Sequence, residues 1–386
     1  MKVPFFRFQP AGDELKNIQE VIDSGWLTTG KWAHELEARF AEYTGARHAV
    51  SVNSCTAALH LAVEALGIKE GDKVVVPSLT FTASAEVIRY VGADPVFVDV
   101  DPHTLSLNPE GLRDTLQKHS DVAAVIAVHF TGHPLDVSKP GGLKDVCREF
   151  GIKLIHDAAH AFPAYENGSP VGAAGDVTCF SFYANKTMTS GEGGMLVTDD
   201  EAVAQRAKNM RLHGIDRDVW DRFTGSKADA WVYDVKAPGF KYNMPDLNAA
   251  VAVAQFDQAW FFRDLRQKIA QSYQHQLSDL PGILLPSWQC APEDHAHHLY
   301  PIVLEGGAKL TRGDFIHAMS DAGIGTSVHY RPLHRMSYYR DKYDLDPADY
   351  PNTEAYWSGC VSLPVFPGMK DDELDYVITT CRKLLR

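Results

Sequence analysis

One lysine, Lys186, stands in the run Ser181-Phe182-Tyr183-Ala184-Asn185-Lys186, between the apolar segment Val177–Phe182 and the glycines Gly193 and Gly194. A second apolar run, Met195-Leu196-Val197, follows, so the lysine lies on a connection between two strand-like segments. A loop aimed by a strand is where reactive groups are placed, and also where ordinary solvated lysines sit. A lysine amine can hold an aldehyde covalently as a Schiff base. Asp157 follows Leu154-Ile155 and precedes Ala158-Ala159-His160-Ala161. It either caps the next segment or, with two small alanines leaving room for a flat ligand, binds a protonated ring nitrogen through a charge-assisted hydrogen bond. Asn53-Ser54-Cys55-Thr56 opens a helical pattern. Its amides and hydroxyls suit a phosphate or make a plain N-cap. Ser181 offers a further hydroxyl, and Asn243 either donates to a phosphate oxygen or sits in a turn. A phosphate cradle, a carboxylate for a ring nitrogen and a Schiff-base lysine are the three requirements of pyridoxal phosphate chemistry.

The surrounding elements must bring these loops together. Strand signals at Ala49–Val52, Lys73–Val76, Pro95–Val100, Ala124–Val128 and Ile152–Ile155 alternate with helical patterns at Thr56–Leu66 and Ser84–Val91. Continuous apolar strands separated by helices predict an α/β fold with a mainly parallel sheet covered on both faces. Short strand-to-helix loops then collect at its carboxyl edge, where open α/β folds bind ligands. From Asp246 a long helical pattern leads into a smaller α+β part that begins near Pro281. The expected division is 1–250 as a large ligand-binding domain, with 1–14 free to pack elsewhere, and 251–386 as linking helix plus small domain. Arg211–Gly239 reads as an aromatic-rich loop, either an active-site flap or a subunit contact.

Composition narrows the function. A formal charge of −13 argues against nonspecific nucleic-acid or anionic-membrane binding. It leaves a small phosphorylated ligand open. The cysteines form no CxxC pair, which speaks against zinc, iron–sulfur clusters and a disulfide framework and for a reducing cytoplasm. No run is apolar and long enough for a signal peptide or a membrane span. His295-x-His297-His298 invites a metal reading, but the group matches no standard ligand spacing. No metal is expected. Trp260-Phe261-Phe262 reads as core or subunit contact.

The chain resembles the DegT–StrS family of sugar aminotransferases, a branch of fold-type I pyridoxal phosphate enzymes. The likeness runs through SGWLTTG (24–30), NSCTAALHLA (53–62), GDKVVVPSLTFTAS (71–84), VHFTGHP (128–134), HDAAHA (156–161), the Lys186 segment with GEGG, GFKYNMPDLNAA (239–250), GTSVHYRPLH (325–334) and SLPVFPGM (362–369). It implies pyridoxal 5′-phosphate in a Schiff base with Lys186, which also shuttles protons, and Asp157 paired with the pyridine nitrogen. It further implies that Ser181 and the Cys55–Thr56 backbone hold the phosphate, with Asn243 helping from a neighbouring subunit. Phe81 matches the aromatic position on the cofactor ring, and His160 a position, often Gln, that meets the ring hydroxyl. Thr28, Thr29, His329 and Tyr330 match segments near the sugar. His156 and Cys55 depart from the commonest pattern, where Glu and Gly or Ala are frequent.

The implied reaction moves an amino group from L-glutamate, leaving 2-oxoglutarate, to a nucleotide-linked keto sugar, a UDP- or dTDP-4-keto sugar. The amino sugar would serve surface polysaccharide, lipid A or antibiotic glycosylation, and the enzyme would be a cytoplasmic homodimer with shared active sites. Dehydratase relatives carry histidine at the lysine position, so Lys186 favours transamination. The alternatives are a pyridoxal-dependent sugar dehydratase, or a noncatalytic sensor of the cofactor or a nucleotide sugar on the same fold.

Overall fold

The computed structural model describes residues 1–172, 174–216 and 233–386. Of the expected flap, residues 217–232 lie outside the described residues.

The chain opens with helices α1 (Glu14–Ser24) and α2 (Lys31–Thr44). Strands and helices then alternate: β1 (His48–Val52), α3 (Cys55–Ala65), β2 (Lys73–Pro77), α4 (Ala83–Tyr90), β3 (Asp94–Val98), α5 (Pro109–Lys118), β4 (Val122–Val128), α6 (Leu143–Phe150) and β5 (Lys153–Asp157). A small hairpin, β6 (Tyr165–Glu166) with β7 (Ser169–Pro170), precedes β8 (Val177–Ser181), β9 (Gly194–Thr198) and α7 (Glu201–Met210). Those among them that the sequence predicted match to within a residue or two at most ends, because each apolar run is bounded by turn residues; α1, α2, α5, α6, α7 and the hairpin were not predicted.

A seven-stranded sheet forms in the order β1-β9-β8-β5-β4-β2-β3. The β8, β5, β4, β2 and β3 neighbours pair in parallel, while β9 is antiparallel to both β8 and β1. Only β9 therefore runs against the rest. The carboxyl ends of β1, β5 and β8 share one edge, and β9 begins there, with Gly194 opposite both Val52 and Ser181. That topology brings the loops carrying Cys55–Thr56, Asp157 and Lys186 toward one place.

Both faces are covered, as near-continuous apolar strands require. On one face Val52, Ile155, Val177, Cys179 and Leu196 pack against α3, which is buried almost all round. On the other, Phe180 and Phe182 join Phe40, Phe162 and Phe256, the last from the 32-residue helix α8 (Asp246–Leu277). Alternate residues of β8 thus serve opposite layers, as a period of two demands.

After α8 comes an antiparallel sheet of β10 (Ile283–Leu284), β11 (Tyr300–Leu304) and β12 (Cys360–Leu363). Helices α9 (Arg312–Asp321), α10 (Ser337–Tyr343), α11 (Pro351–Gly359) and α12 (Asp371–Leu385) complete the chain. A separate core of Tyr273, Tyr300, Ile302, Phe315, Val361 and Val377 lies here. The first residues join it: Val3 is buried and bridges Ile324, and Arg7 pairs with Glu373 at 2.6 Å. In the Trp260 group, Phe262 is buried and Phe261 is exposed.

Candidate active site

The loop carrying Lys186 is closed on itself. The amides of Phe182 and Ser190 donate to Gly193 and Phe182 carbonyls, at 2.9 and 3.0 Å, and Thr189 Oγ1 donates to Phe182 O. A turn from the Lys186 amide to Tyr183 O, 3.0 Å, aims the side chain across the end of the sheet. There it enters a cavity of about 410 Å³. Lys186 as a residue is half-buried, open to that cavity, whereas its amino group is enclosed by protein. Burial pushes the amine down from its ordinary value to about 8; Cys55 and Asp157 oppose that shift and Arg266 adds to it. Near neutrality such an amine is partly free to react. Its hydrogen-bond partner is His298, with Nζ and Nε2 3.5 Å apart.

Asp157, the last residue of β5, is buried at the same cavity. Its carboxylate accepts from Ser84 Oγ at 2.7 Å and from the Ala159 amide at 3.1 Å. Thr80 and Ser84 share a hydrogen bond of 2.8 Å, extending this support back toward β2. Burial raises the Asp157 carboxyl despite these donors and the Lys186 charge. A buried carboxylate in that condition gains from a cation placed beside it, and a protonated ring nitrogen is such a cation.

Ser54 is the N-cap of α3, its Oγ accepting from the Ala57 amide at 3.1 Å. The plain N-cap reading of this loop therefore holds for Ser54. It does not consume the amides of Cys55 and Thr56, which head the helix and cannot bond within it. Both residues line the cavity, as does Ser181. Gly194 lies so close that a Cβ there would stand 2.6 Å from Ser54 C and 2.7 Å from Cys55 N. Helix-terminal amides, a small hydroxyl and a glycine that lets two chains approach make a cradle that fits a phosphate. Cradle, carboxylate and lysine meet in one cavity.

Phe81, more than half exposed, lines the cavity beside Tyr330, their rings 5.6 Å apart. His160 Nε2 lies 3.1 Å from Tyr330 OH, its Nδ1 has no partner among the described residues, and its ring is 4.4 Å from that of His298. His329, held by Ser362 at 2.9 Å, also lines the cavity. Asn243, Thr28 and Thr29 do not. They form their own cluster, with Asn243 Nδ2 2.9 Å from Thr29 Oγ1 and 3.4 Å from Thr28 Oγ1, and with Lys241 Nζ on Asn243 Oδ1. A second recess, about 600 Å³ between Leu285, Val303 and Tyr356, holds none of the candidate residues.

Sequence reasoning passed over Ser84 and gave His298 no part in the site. Ser84 was signalled only by lying in SLTFTAS, and His298 was read as one of a histidine cluster. The three histidines diverge: the His297 amide bonds His295 Nδ1 at 2.7 Å and His297 Nε2 lies 2.8 Å from Pro292 O, while His298 alone turns to Lys186.

A family model for the DegT/DnrJ/EryC1/StrS aminotransferase family matches residues 9–382. The chain belongs to that family. Among curated relatives, the spore coat polysaccharide biosynthesis protein SpsC of Bacillus subtilis is 39% identical over 378 residues, 97% of this chain and 95% of its own. An uncharacterized protein of Methanocaldococcus jannaschii is 37% identical over 384 residues, 99% of this chain and 97% of its own. Among solved structures, Spr1654 of Streptococcus pneumoniae, assigned as a sugar aminotransferase, superposes in its PMP form with a TM-score of 0.88 at 30% identity, covering 98% of each chain. The fold is that of fold-type I pyridoxal phosphate enzymes, and this DegT/DnrJ/EryC1/StrS member is a sugar aminotransferase with pyridoxal 5′-phosphate as cofactor. Among the described residues no helix is long and apolar enough to cross a membrane.

Proposed function

We propose that this enzyme transfers the amino group of L-glutamate to a nucleotide-linked keto sugar, a UDP- or dTDP-4-keto sugar, with Lys186 as the residue that bonds the cofactor. The observation that carries the assignment of Lys186 is its enclosed amine in one cavity with the Asp157 carboxylate and the Cys55–Thr56 helix terminus. When bound, the cofactor supplies an electron sink for the carbon that loses its proton. The chain's own part is then positional and acid–base. Cys55, Thr56 and Ser181 anchor the phosphate, Asp157 keeps the ring nitrogen protonated, and Phe81 and His160 bound the ring. Lys186, its amine held near 8, takes and returns the proton at the reacting carbon. His329 and Tyr330 border the same space and are assigned to the sugar.

Asn243, Thr28 and Thr29 bond one another and are not among the residues lining this cavity; in this reading each subunit of a homodimer lends that cluster to its partner's site. The division into a cofactor-binding part, 1–250, and a linking helix with smaller domain, 251–386, accompanies this reading. The name of SpsC, a spore coat polysaccharide biosynthesis protein, supports a product used in surface polysaccharide; the reading places its synthesis in the cytoplasm.

The test is the visible spectrum of the purified protein before and after glutamate, alongside Lys186→Ala. The expected result is a yellow band that glutamate converts to the spectrum of the amino form of the cofactor, that a nucleotide 4-keto sugar restores, and that the variant lacks. A band indifferent to glutamate would refute the donor. A band retained by Lys186→Ala would refute the lysine.

A further inference from the structure

Arg266 lies in the middle of α8 and is only 2% exposed, yet among the described residues no carboxylate forms an ion pair with it. An isolated buried cation is costly unless its donors are satisfied. Its donors go instead to three main-chain carbonyls: Nη1 to Val365 O at 2.7 Å and to His298 O at 3.3 Å, and Nη2 to Asn185 O at 3.3 Å. Its Nε is buried without a partner among the described residues. Burial lowers the guanidinium from its ordinary value to about 10, so it stays charged at neutral pH.

The choice of carbonyls is informative. Asn185 O belongs to the peptide that joins Asn185 to Lys186, and His298 carries the imidazole that meets Lys186 Nζ at 3.5 Å. Val365 follows β12. One fixed fork therefore ties the lysine loop, the approach to β11 and the exit from β12 to the long helix, a geometry that lysine or an apolar residue at 266 could not reproduce. We propose that Arg266 is a positioning residue for the transfer reaction, clamping the backbone on both sides of the Lys186–His298 contact and leaving its own positive charge, unpaired with any carboxylate among the described residues, against the lysine loop. This rests on the reading of Lys186 as the reacting lysine.

Other groups around the amine act with or against that charge. Asp157 at the end of β5 and Cys55 at the start of α3 favour the protonated amine. His160, His298 and His329 are kept neutral by burial, with the Lys186 charge adding to the effect. Glu192, Tyr183 and Tyr330 line the cavity. Against this set the Arg266 charge disfavours protonation of Lys186.

The experiment reads the amine directly in the full-length chain freed of cofactor, so it is independent of turnover. Acetic anhydride labelling of the Lys186 peptide is followed by mass spectrometry from pH 6 to 10, together with hydrogen exchange of the 183–190 segment. Arg266→Gln is expected to raise the labelling midpoint by about 0.3 of a pH unit, about twofold less labelling at pH 7. Arg266→Lys keeps the charge and should leave the midpoint near that of the parent chain. It loses the fork, so exchange in 183–190 should quicken in both variants. An unmoved midpoint in folded Arg266→Gln, or parent-like exchange in Arg266→Lys, overturns the proposal. If Arg266→Gln fails to fold, the exchange arm in Arg266→Lys still decides. Whether Lys186 bonds the cofactor is read separately from the yellow band, so the two ideas can fail independently.

Discussion

Removing one hydroxyl, Ser84→Ala, tests the ring-nitrogen carboxylate without touching it. Ser84 Oγ donates to Asp157 Oδ2 at 2.7 Å in a site where both side chains are buried. A hydrogen bond to a charged group contributes about 1.5–3 kcal/mol, equivalent to about one to two pH units in the carboxyl's midpoint. Burial already holds that midpoint above the ordinary carboxylate value, so the variant drives it further up. The charged carboxylate is the form that pairs with a protonated ring nitrogen, so cofactor affinity should fall by about ten- to a hundredfold. The loss is full below the parent midpoint and closes as the pH rises past that of the variant. Stability depends on pH in the opposite sense. A raised carboxyl stabilises the fold most below its unfolded value, and that contribution is lost as pH rises through the folded midpoint. Ser84→Ala should therefore be less stable by about 1.5–3 kcal/mol above the variant's midpoint, with the difference vanishing where both carboxyls are protonated. The assay is fluorescence titration of the cofactor-free chain with pyridoxal phosphate from pH 6 to 9, with Ser84→Thr as the variant that keeps a hydroxyl. Equal affinities at every pH, or a deficit that grows with pH, would refute the reasoning.

Gly194→Ala places a Cβ within 2.7 Å of Cys55 N, so the start of β9 or of α3 must move; cofactor affinity should drop by about tenfold or more in the same titration, and wild-type binding would refute the cradle. The buried histidines predict acid lability. His156, His297 and His329 are pushed down by burial from the ordinary 6.5 to about 4, so their contribution to stability is present above 6.5 and lost as the pH falls through that window. Each should steepen the loss by about 1.4 kcal/mol per pH unit, and His156→Gln should flatten the urea-midpoint profile between pH 6 and 5 by one such increment. A profile flat in both chains would refute the burial argument.

Much of the site was legible because its parts are local. The alternation of apolar runs with turn residues specified the strands, and Cys55, Thr56, Phe81, Asp157, His160, Ser181 and Lys186 sit within a few positions of a strand's end. Asp157 and Ser181 close β5 and β8, and Cys55 and Thr56 begin α3. Lys186 could be read as reactive only in combination with these, since nothing in SFYANK by itself distinguishes it from a solvated lysine. Its depressed amine is a property of enclosure, which no spacing encodes.

What the sequence by itself determined, then, was the kind of groups available and the elements that carry them, through period, capping and turn chemistry. What only the tertiary structure decided was which distant groups meet. That β9 runs against its neighbours, so that Gly194 faces both Val52 and Ser181, follows from strand order. That Ser84 supports Asp157, that His298 rather than its neighbours turns to Lys186, and that Arg266 spends its donors on three carbonyls follow from packing between segments far apart in the chain. Such contacts depend on how whole layers of helices and sheet settle against one another, and burial, not residue type, then fixes the charge each group carries.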